Sequence, residues 1–379
     1  MPYVRNAWYV AGWEQDLEPQ RPTAMRILDE PIVIYRSDGG RVVALEDRCV
    51  HRLAPLSLGR CEGDRIRCMY HGLLFDPDGS VSEIPGQAQI PAKARVRSYP
   101  AVARHSWIWV WMGDSALADE ALIPPAVGFD DPDYILGRGQ LDYAAEARLI
   151  NDNLLDFSHL SYVHANSFGA TEDWARDRPQ IIPLERGVRV QRWLPNQPGM
   201  AGRPGREEAR DRFSTYDFLL PGILLMTGGS FPLGTAEACG KGVPDLAQAE
   251  GGVTFTSQAV TPMSDREARY FFSWGPHVRH GDTALRDILM GIAAQAFAED
   301  KVMIEAQQRV VDATRDPRVM PTSADKGVVL FNRLVERMST AEGCEHPAQA
   351  EKAPADGSQE AFPRVHSGAD ENLLFYASC

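Results

Sequence analysis

Apolar residues fall in short blocks through the first third of the chain and later include longer, helix-spaced stripes. The stretch "PIVIYRSDGGRVVALED" sets two apolar runs around Asp-Gly-Gly, the pattern of a β-hairpin. In "SWIWVWMGD", Trp107, Trp109 and Trp111 alternate with Ile108, Val110 and Met112, so both faces are apolar and a buried strand is predicted. Residues 1–115 thus read as mostly β. "DSALADEALIPP" reads as a connector with a boundary at Pro124-Pro125. From about 130 to 340 the pattern is mixed, with strand-like "VRVQRW", "YDFLLPGILLM", "GVTFTSQAVTP" and "ARYFFSW" and helix-like runs over 148–164 and 284–312. Residues 341–379, rich in Ala, Pro, Gly, Ser and acids, read as an appended tail.

Composition narrows the class. The chain has 379 residues, enough for two domains, with ordinary hydrophobic (44%) and charged (24%) fractions. A net charge of −13 argues against nucleic acid or an anionic membrane as partner. No apolar run is long enough to span a bilayer, and "MPYVRNAWYVAGWEQDLEP" lacks a signal-peptide pattern. Six cysteines are too few for a disulfide scaffold, so a reducing, cytoplasmic setting is expected.

Two stretches carry candidate chemistry. Within "CVHRLAPLSLGRCEGDRIRCMYH", Cys49 and His51 precede Cys68 and His71, so each of two segments offers one thiolate and one imidazole. This arrangement suits a two-iron cluster held by two Cys and two His, or a structural Cys₂His₂ zinc site. Cys61 lies between as a bystander. Further on, "NDNLLDFSHLSYVHANSFG" places Asp156, His159 and His164 in an apolar run. His159 and His164 are five residues apart, about 140° around a regular helix, so convergence on one ion needs the helix to loosen or to end between them. The bland alternative is a pair of core histidines. Leu285, Ile288, Leu289, Ile292, Ala296, Met303, Ile304 and Val311 trace an apolar helical stripe on which Asp300 falls, while Glu299 and Glu305 step off it. A carboxylate on such a stripe is costly unless paired or metal-bound. Two His and one carboxylate would make the facial triad of non-haem Fe(II) oxygenases, and a buried salt bridge is the other reading.

Together, C-x-H, a sixteen-residue gap, C-x-x-H-G and N-x-x-D-x-x-H-x-x-x-x-H resemble the Rieske non-haem iron oxygenases. "NAWYVAGW" and "HRLAPLSLG" resemble the vanillate and dicamba O-demethylase branch. The resemblance covers residues 1–340 and implies an α+β chain. In it an N-terminal all-β Rieske [2Fe-2S] domain (1–115) precedes a helix-grip, START-like catalytic domain with an antiparallel sheet (116–340). It implies that Cys49 and Cys68 hold one iron of the cluster and His51 and His71 the other. His159, His164 and Asp300 would hold a mononuclear Fe(II). It further implies O₂ as co-substrate, electrons from a ferredoxin or reductase, and a homotrimer in which Asp156 links a neighbour's His71 to His159. Asn153 is a candidate supporting residue.

Three expectations concern surroundings. Arg48, Arg52, Arg60, Arg65 and Arg67 crowd the Cys/His stretch and form either a docking face for an acidic ferredoxin or a solvated loop surface. The strands expected to line the substrate pocket carry no Lys, Arg or His, which favours a neutral, bulky aromatic, with Gln258 as polar contact or solvent-facing residue. The branch implies oxidative O- or N-dealkylation. Ring or side-chain hydroxylation of an aromatic acid is the alternative. Non-catalytic readings are a Rieske electron carrier and a zinc-stabilised ligand-binding module.

Overall fold

The computed structural model describes residues 3–165, 167–168, 170–198, 208–316 and 318–345. The first part is all β: β1 (Trp8–Trp13), β2 (Thr23–Ile27), β3 (Glu30–Arg36), β4 (Val42–Glu46), β5 (Arg60–Glu62), β6 (Arg65–Arg67), β7 (Leu74–Phe75), β8 (Val81–Glu83), β9 (Ser98–Tyr99), β10 (Ala101–Arg104) and β11 (Trp107–Trp111). They form three antiparallel sheets, β1-β11-β10, β2-β3-β4-β9 and β5-β6-β7-β8. The hairpin at 31–47 is β3–β4, with Gly40 at φ 80° in the turn, where a side chain would be strained. Its apolar runs are continuous because both faces are covered. Ile32, Ile34, Val42 and Ala44 join the main core, while Val33, Tyr35, Val43 and Leu45 face a separate small core under Cys49, Cys68 and the β5–β8 sheet. The tryptophan strand β11 is central in its sheet and wholly buried.

Short 3₁₀ turns at 115–117 and 120–122 lead to the second part. Its strands are β12 (Gly137–Tyr143), β13 (Gln180–Leu184), β14 (Gly187–Gln197), β15 (Arg210–Leu219), β16 (Ile223–Phe231), β17 (Gly251–Ser264) and β18 (Glu267–Pro276). These pair as one antiparallel sheet in the order β12-β18-β17-β16-β15-β14-β13, a meander closed by the strand that precedes it. Its helices are α1 (Ala147–Leu155), α2 (Asp173–Arg176), α3 (Thr235–Ala238), α4 (Thr283–Ala313) and α5 (Lys326–Glu345). α4 lies against β18 and β12, and α5 against β13 and β14. The α+β class expected from the sequence is the observed one.

Three boundaries and faces differ from expectation. The helix expected over 148–164 stops at Leu155, and a 3₁₀ turn, Phe157–Ser161, follows. The buried stripe of α4 runs through Leu285, Leu289, Ala293, Ala296, Phe297, Asp300, Ile304 and Gln308, whereas Ile288 and Met303 are exposed. The small and aromatic residues Ala293 and Phe297 pack on the sheet, which rotates the inner face away from those two. The expected tail boundary at 340/341 falls inside α5, and residues from 346 on lie outside the described residues.

The two parts interlock. Thr261 Oγ1 donates to the Val10 carbonyl at 2.6 Å, and Leu28 and Asp29 N–H donate to the Pro262 and Met263 carbonyls at 2.9 and 3.0 Å. No described helix is long and apolar enough to cross a membrane.

Candidate active site and cluster loops

The two Cys/His segments fold as matching loops. Cys49 N–H donates to Ala54 O and Leu53 N–H to Cys49 O, at 2.8 and 2.9 Å; Cys68 N–H donates to Leu73 O and Gly72 N–H to Cys68 O, also at 2.8 and 2.9 Å. Each loop needs a residue with positive φ at the same place, Leu53 at 59° and Gly72 at 78°. The chain therefore presents the four side chains in pairs. Cys49 and Cys68 are both 1% exposed and lie on the small core, and the exposed imidazoles of His51 and His71 sit 4.5 Å apart, centroid to centroid. Burial and the neighbouring Cys68 push the Cys49 thiol up to about 11. Buried sulfur lies within and imidazole at the surface, the arrangement in which a bound metal cluster would favour the thiolate form. The donor set fits a Rieske cluster. Cys61 belongs to β5, opposite Ile66, on neither loop.

The basic patch is smaller than the sequence suggests. Arg67 bonds Glu62 at 2.7 Å, Glu83 at 3.0 Å and the Gly72 carbonyl at 2.7 Å, so it braces the second loop. Those hydrogen bonds from Arg67, then Arg60, hold the Glu62 carboxyl down to about 2. Arg60 is paired with Glu62 and Arg48 with Glu46. Arg52 and Arg65 are exposed, as are Val50, Leu53, Met69 and Tyr70 of the two loops.

In the second part, α1 ends because Asp156 turns away from helical geometry (φ −129°, ψ 96°) and caps the next turn. Its carboxylate accepts from Ser158 N–H and Oγ–H, both at 2.9 Å. The break swings His159 and His164 together on α4. His159 Nδ1 lies 2.6 Å from the Asp156 carbonyl, which only accepts, so Nδ1 carries the proton and Nε2 is left facing Asp300 Oδ1 at 3.6 Å. His164, fully buried, has Nδ1 2.9 Å from Glu299 Oε2 and Nε2 3.1 Å from Asp300 Oδ1. That close Nε2 approach lacks hydrogen-bond geometry, so the nitrogen is an unpartnered buried atom. One donor atom from each of His159, His164 and Asp300 lies within 4.8 Å of the others. Asn153 Nδ2 donates to Asp300 Oδ1 at 3.1 Å and lies 3.4 Å from His159 Nε2. Burial pulls His159 below the ordinary imidazole value, against Asp300. Burial is also the largest influence on His164, but the nearby carboxylates of Asp300 and Glu299 outweigh it and raise the value. An orphaned buried nitrogen, a second imidazole nitrogen and a buried carboxylate converging on one point fit a divalent iron. They are not a random pair of core histidines.

Within this chain Asp156 reaches His159 through its main-chain carbonyl, while its carboxylate accepts from Ser158. Glu299, which steps off the apolar stripe, is in the site: it holds His164 from behind. Neither it nor Ser167, which donates to Glu299 at 2.7 Å, carries a periodic signal. Only the general need of a ligating imidazole for an acceptor on its other nitrogen points to such a residue.

A cavity of about 640 Å³ opens over these groups, between the sheet and the segment 153–174. Leu160, Phe168, Met226, Trp274 and Phe297 give it apolar walls. Gln258 is buried in the wall, not solvent-facing; its Nε2 donates to Thr256 Oγ1 at 3.2 Å and its Oε1 has no partner among the described residues. The absence of cations expected from β16 and β17 does not extend to the cavity as a whole. Arg210 and Arg212 of β15 and Arg279 after β18 also line it, with Glu208 and Glu250 bound to Arg210.

Cluster loops on a small all-β unit, followed by a two-His, one-carboxylate site under a large antiparallel sheet, define a two-centre iron protein that couples electron delivery to O₂ chemistry. The profile of the Rieske [2Fe-2S] domain matches residues 7–100, and that of the vanillate O-demethylase oxygenase C-terminal domain matches residues 143–341. The chain is 37% identical over 350 residues to the iron-sulfur subunit of the toluene-4-sulfonate monooxygenase system of Comamonas testosteroni, covering 90% of this chain and 98% of that one. It is 33% identical over 349 residues to the vanillate O-demethylase oxygenase subunit of Pseudomonas sp. (strain HR199 / DSM 7063), covering 90% and 96%. The crystal structure of dicamba monooxygenase bound to dicamba superimposes with a TM-score of 0.79 at 30% identity, covering 91% of this chain and all of that one. The chain belongs to the Rieske non-haem iron oxygenases, in the vanillate and dicamba O-demethylase family. It is the oxygenase component of a multicomponent Rieske monooxygenase, an oxidoreductase whose cofactors are a [2Fe-2S] cluster and a mononuclear non-haem iron.

Replacing Gln258 by Leu removes a buried acceptor that nothing satisfies, so thermal melting is expected to stay the same or rise, while KM for the substrate shifts. A fall of several degrees in melting temperature would show that Oε1 is satisfied in solution.

Proposed function

We propose that this oxygenase removes an alkyl group from a substituted aromatic compound by hydroxylating the carbon next to its oxygen or nitrogen. In this reading Cys49 and Cys68 hold one cluster iron and His51 and His71 the other. His159, His164 and Asp300 hold the mononuclear iron. The observation that carries it is the convergence of His159, His164 and Asp300 in a cavity with apolar walls near these groups and room for a single-ring aromatic. When bound, the cluster supplies single electrons and the iron supplies O₂ activation. The residues of this chain do the rest. Asn153 holds Asp300 and the Asp156 carbonyl holds His159, so both donors face the cavity. Phe168, Met226 and Trp274 exclude water and pack the ring, and Gln258 Oε1 and Thr256 offer polar contacts for a substituent.

The electron donor is a ferredoxin or a reductase in the same cytoplasmic system. We take residues 1–115 and 116–340 as the two domains, a division supported by the separate strand pairing of the first part and the single large sheet of the second. A homotrimer, with Asp156 beside a neighbour's His71, brings the two centres together; the Asp156 carboxylate, bonded only through Ser158 here, keeps lone pairs for that contact. Exposed Arg52, beside His51 and close enough to act on His71, and exposed Arg65 on β6 suit an acidic donor.

A second reading is favoured by the arginines. Arg212 and Arg279 at the cavity wall, and the 37% identity to a toluene-4-sulfonate monooxygenase subunit, support hydroxylation of a side-chain methyl on an aromatic acid. A product panel separates the two. The reduced protein receives O₂ with aromatic ethers, N-alkyl anilides and methyl-substituted aromatic sulfonates and carboxylates, and products are followed by mass spectrometry. Aldehyde or other carbonyl release supports dealkylation; benzylic alcohol formed only from the acids replaces it with the second reading.

Asp300→Ala is expected to keep the cluster's visible absorption, lose the second iron by metal analysis and lose turnover by at least 100-fold; retained turnover would overturn the site assignment. Reversing Arg52 and Arg65 to Glu should slow reduction by the donor at low salt and leave the cluster spectrum unchanged. Unchanged reduction kinetics would move the docking face elsewhere.

A further inference from the structure

The two imidazoles at the candidate iron site are backed by different chemistry. Behind His159 stands a neutral main-chain carbonyl, that of Asp156. Behind His164 stands a carboxylate, Glu299, and this carboxylate is itself held on both oxygens. Oε2 accepts from His164 Nδ1 at 2.9 Å and from Ser167 Oγ at 2.7 Å, and Oε1 accepts from Gln295 Nε2 at 3.1 Å. Glu299 and Asp300 are consecutive on α4, so one turn of one helix addresses both nitrogens of a single, fully buried ring.

We propose, resting on the assignment of His159, His164 and Asp300 as iron ligands, that Glu299 is the positioning residue that makes His164 the stronger of the two imidazole donors and sets how tightly the site retains its metal. An ionised carboxylate accepts only, so it fixes the proton on Nδ1 and leaves the Nε2 lone pair for the metal. Its negative charge also makes the ring a richer donor than a carbonyl does. Ser167 and Gln295 keep the carboxylate in that one orientation. His159, with a neutral acceptor on a turn that interrupts the helix, is the weaker and more adjustable ligand.

The test uses the full chain with its cluster in place and the second metal removed, titrated with Co(II) by equilibrium dialysis under anaerobic conditions. The bound high-spin Co(II) is examined by electron paramagnetic resonance. Glu299→Gln keeps the size of the side chain and removes its charge; binding is expected to weaken by about 10-fold. Glu299→Ala removes the acceptor altogether, and a loss on the order of 100-fold is expected. Both should change the Co(II) resonance pattern while the cluster's own spectrum stays as in the parent. If Glu299→Ala does not fold, Glu299→Gln decides the matter. Parent-like affinity and an unchanged Co(II) spectrum in Glu299→Gln would overturn the proposal. A different failure marks the underlying site assignment: Co(II) binding by the parent that is unaffected by Asp300→Ala would show that the metal sits elsewhere, and the proposal would fall with it.

Discussion

A carboxylate placed on the inner face of a core helix governs the second half of this molecule. Asp300 is 4% exposed on α4, among Ala296, Phe297 and Ile304, where an ionised group is costly without compensation. Asn153 supplies one hydrogen bond, and two imidazoles supply nitrogens that face the carboxylate without bonding to each other. A cation held by these three donors would complete the compensation, and the local backbone brings the donors together. α1 stops at Asp156 instead of continuing, because a continuous helix would point His159 and His164 to different sides. Phe168 and Trp274 line the cavity beside these groups, and apolar walls there lower the local dielectric, which strengthens electrostatic interactions at such a site.

The first half solves a complementary problem. Its cluster must be sheltered at its sulfur side and reachable at its imidazole side. Two loops of the same hydrogen-bond pattern accomplish this by hanging from the outer face of the β3–β4 hairpin, cysteines inward and histidines outward. Arg67 secures the second loop through the Gly72 carbonyl and is secured in turn by Glu62 and Glu83. A residue that looks like part of a docking surface is thereby a structural tie, and the surface that remains around His51 and His71 is as much apolar as basic.

Much of this was legible in the residues. The Cys-x-His and Cys-x-x-His spacing, the Asp156/His159/His164 run and the lone acid on the α4 stripe all reflect local geometry, which sequence records directly. Strand positions in the meander followed from short β-branched and aromatic runs. What escaped was set by contacts distant in sequence. The rotation of α4 that exposes Ile288 and Met303 depends on how Phe297 meets Tyr270 and Phe272 on β18. Glu299 earns its place only because His164 arrives from 135 residues away. The cavity arginines come from the start of β15 and from the segment after β18, outside the two stretches, 216–232 and 252–262, on which the neutral-pocket expectation was built.

The interlock between the halves bears on modularity. The main core runs without interruption from Val10 and Trp109 in the first half to Ala259, Val260 and Phe271 in the second, and it is stitched by Thr261 to Val10 and by Leu28 and Asp29 to the β17 end. A recombination joint placed in the connector between β11 and β12 would pass through the middle of a shared interior, leaving each parent's fragment facing surfaces shaped for another. The portable unit is smaller: the lobe from the outer face of β3–β4 through β8, which carries Cys49 and Cys68 on a core of its own. A lobe with its own core could be exchanged with less disturbance than the remainder of the chain, in which β1, β2 and the tryptophan strand share one interior with the second half.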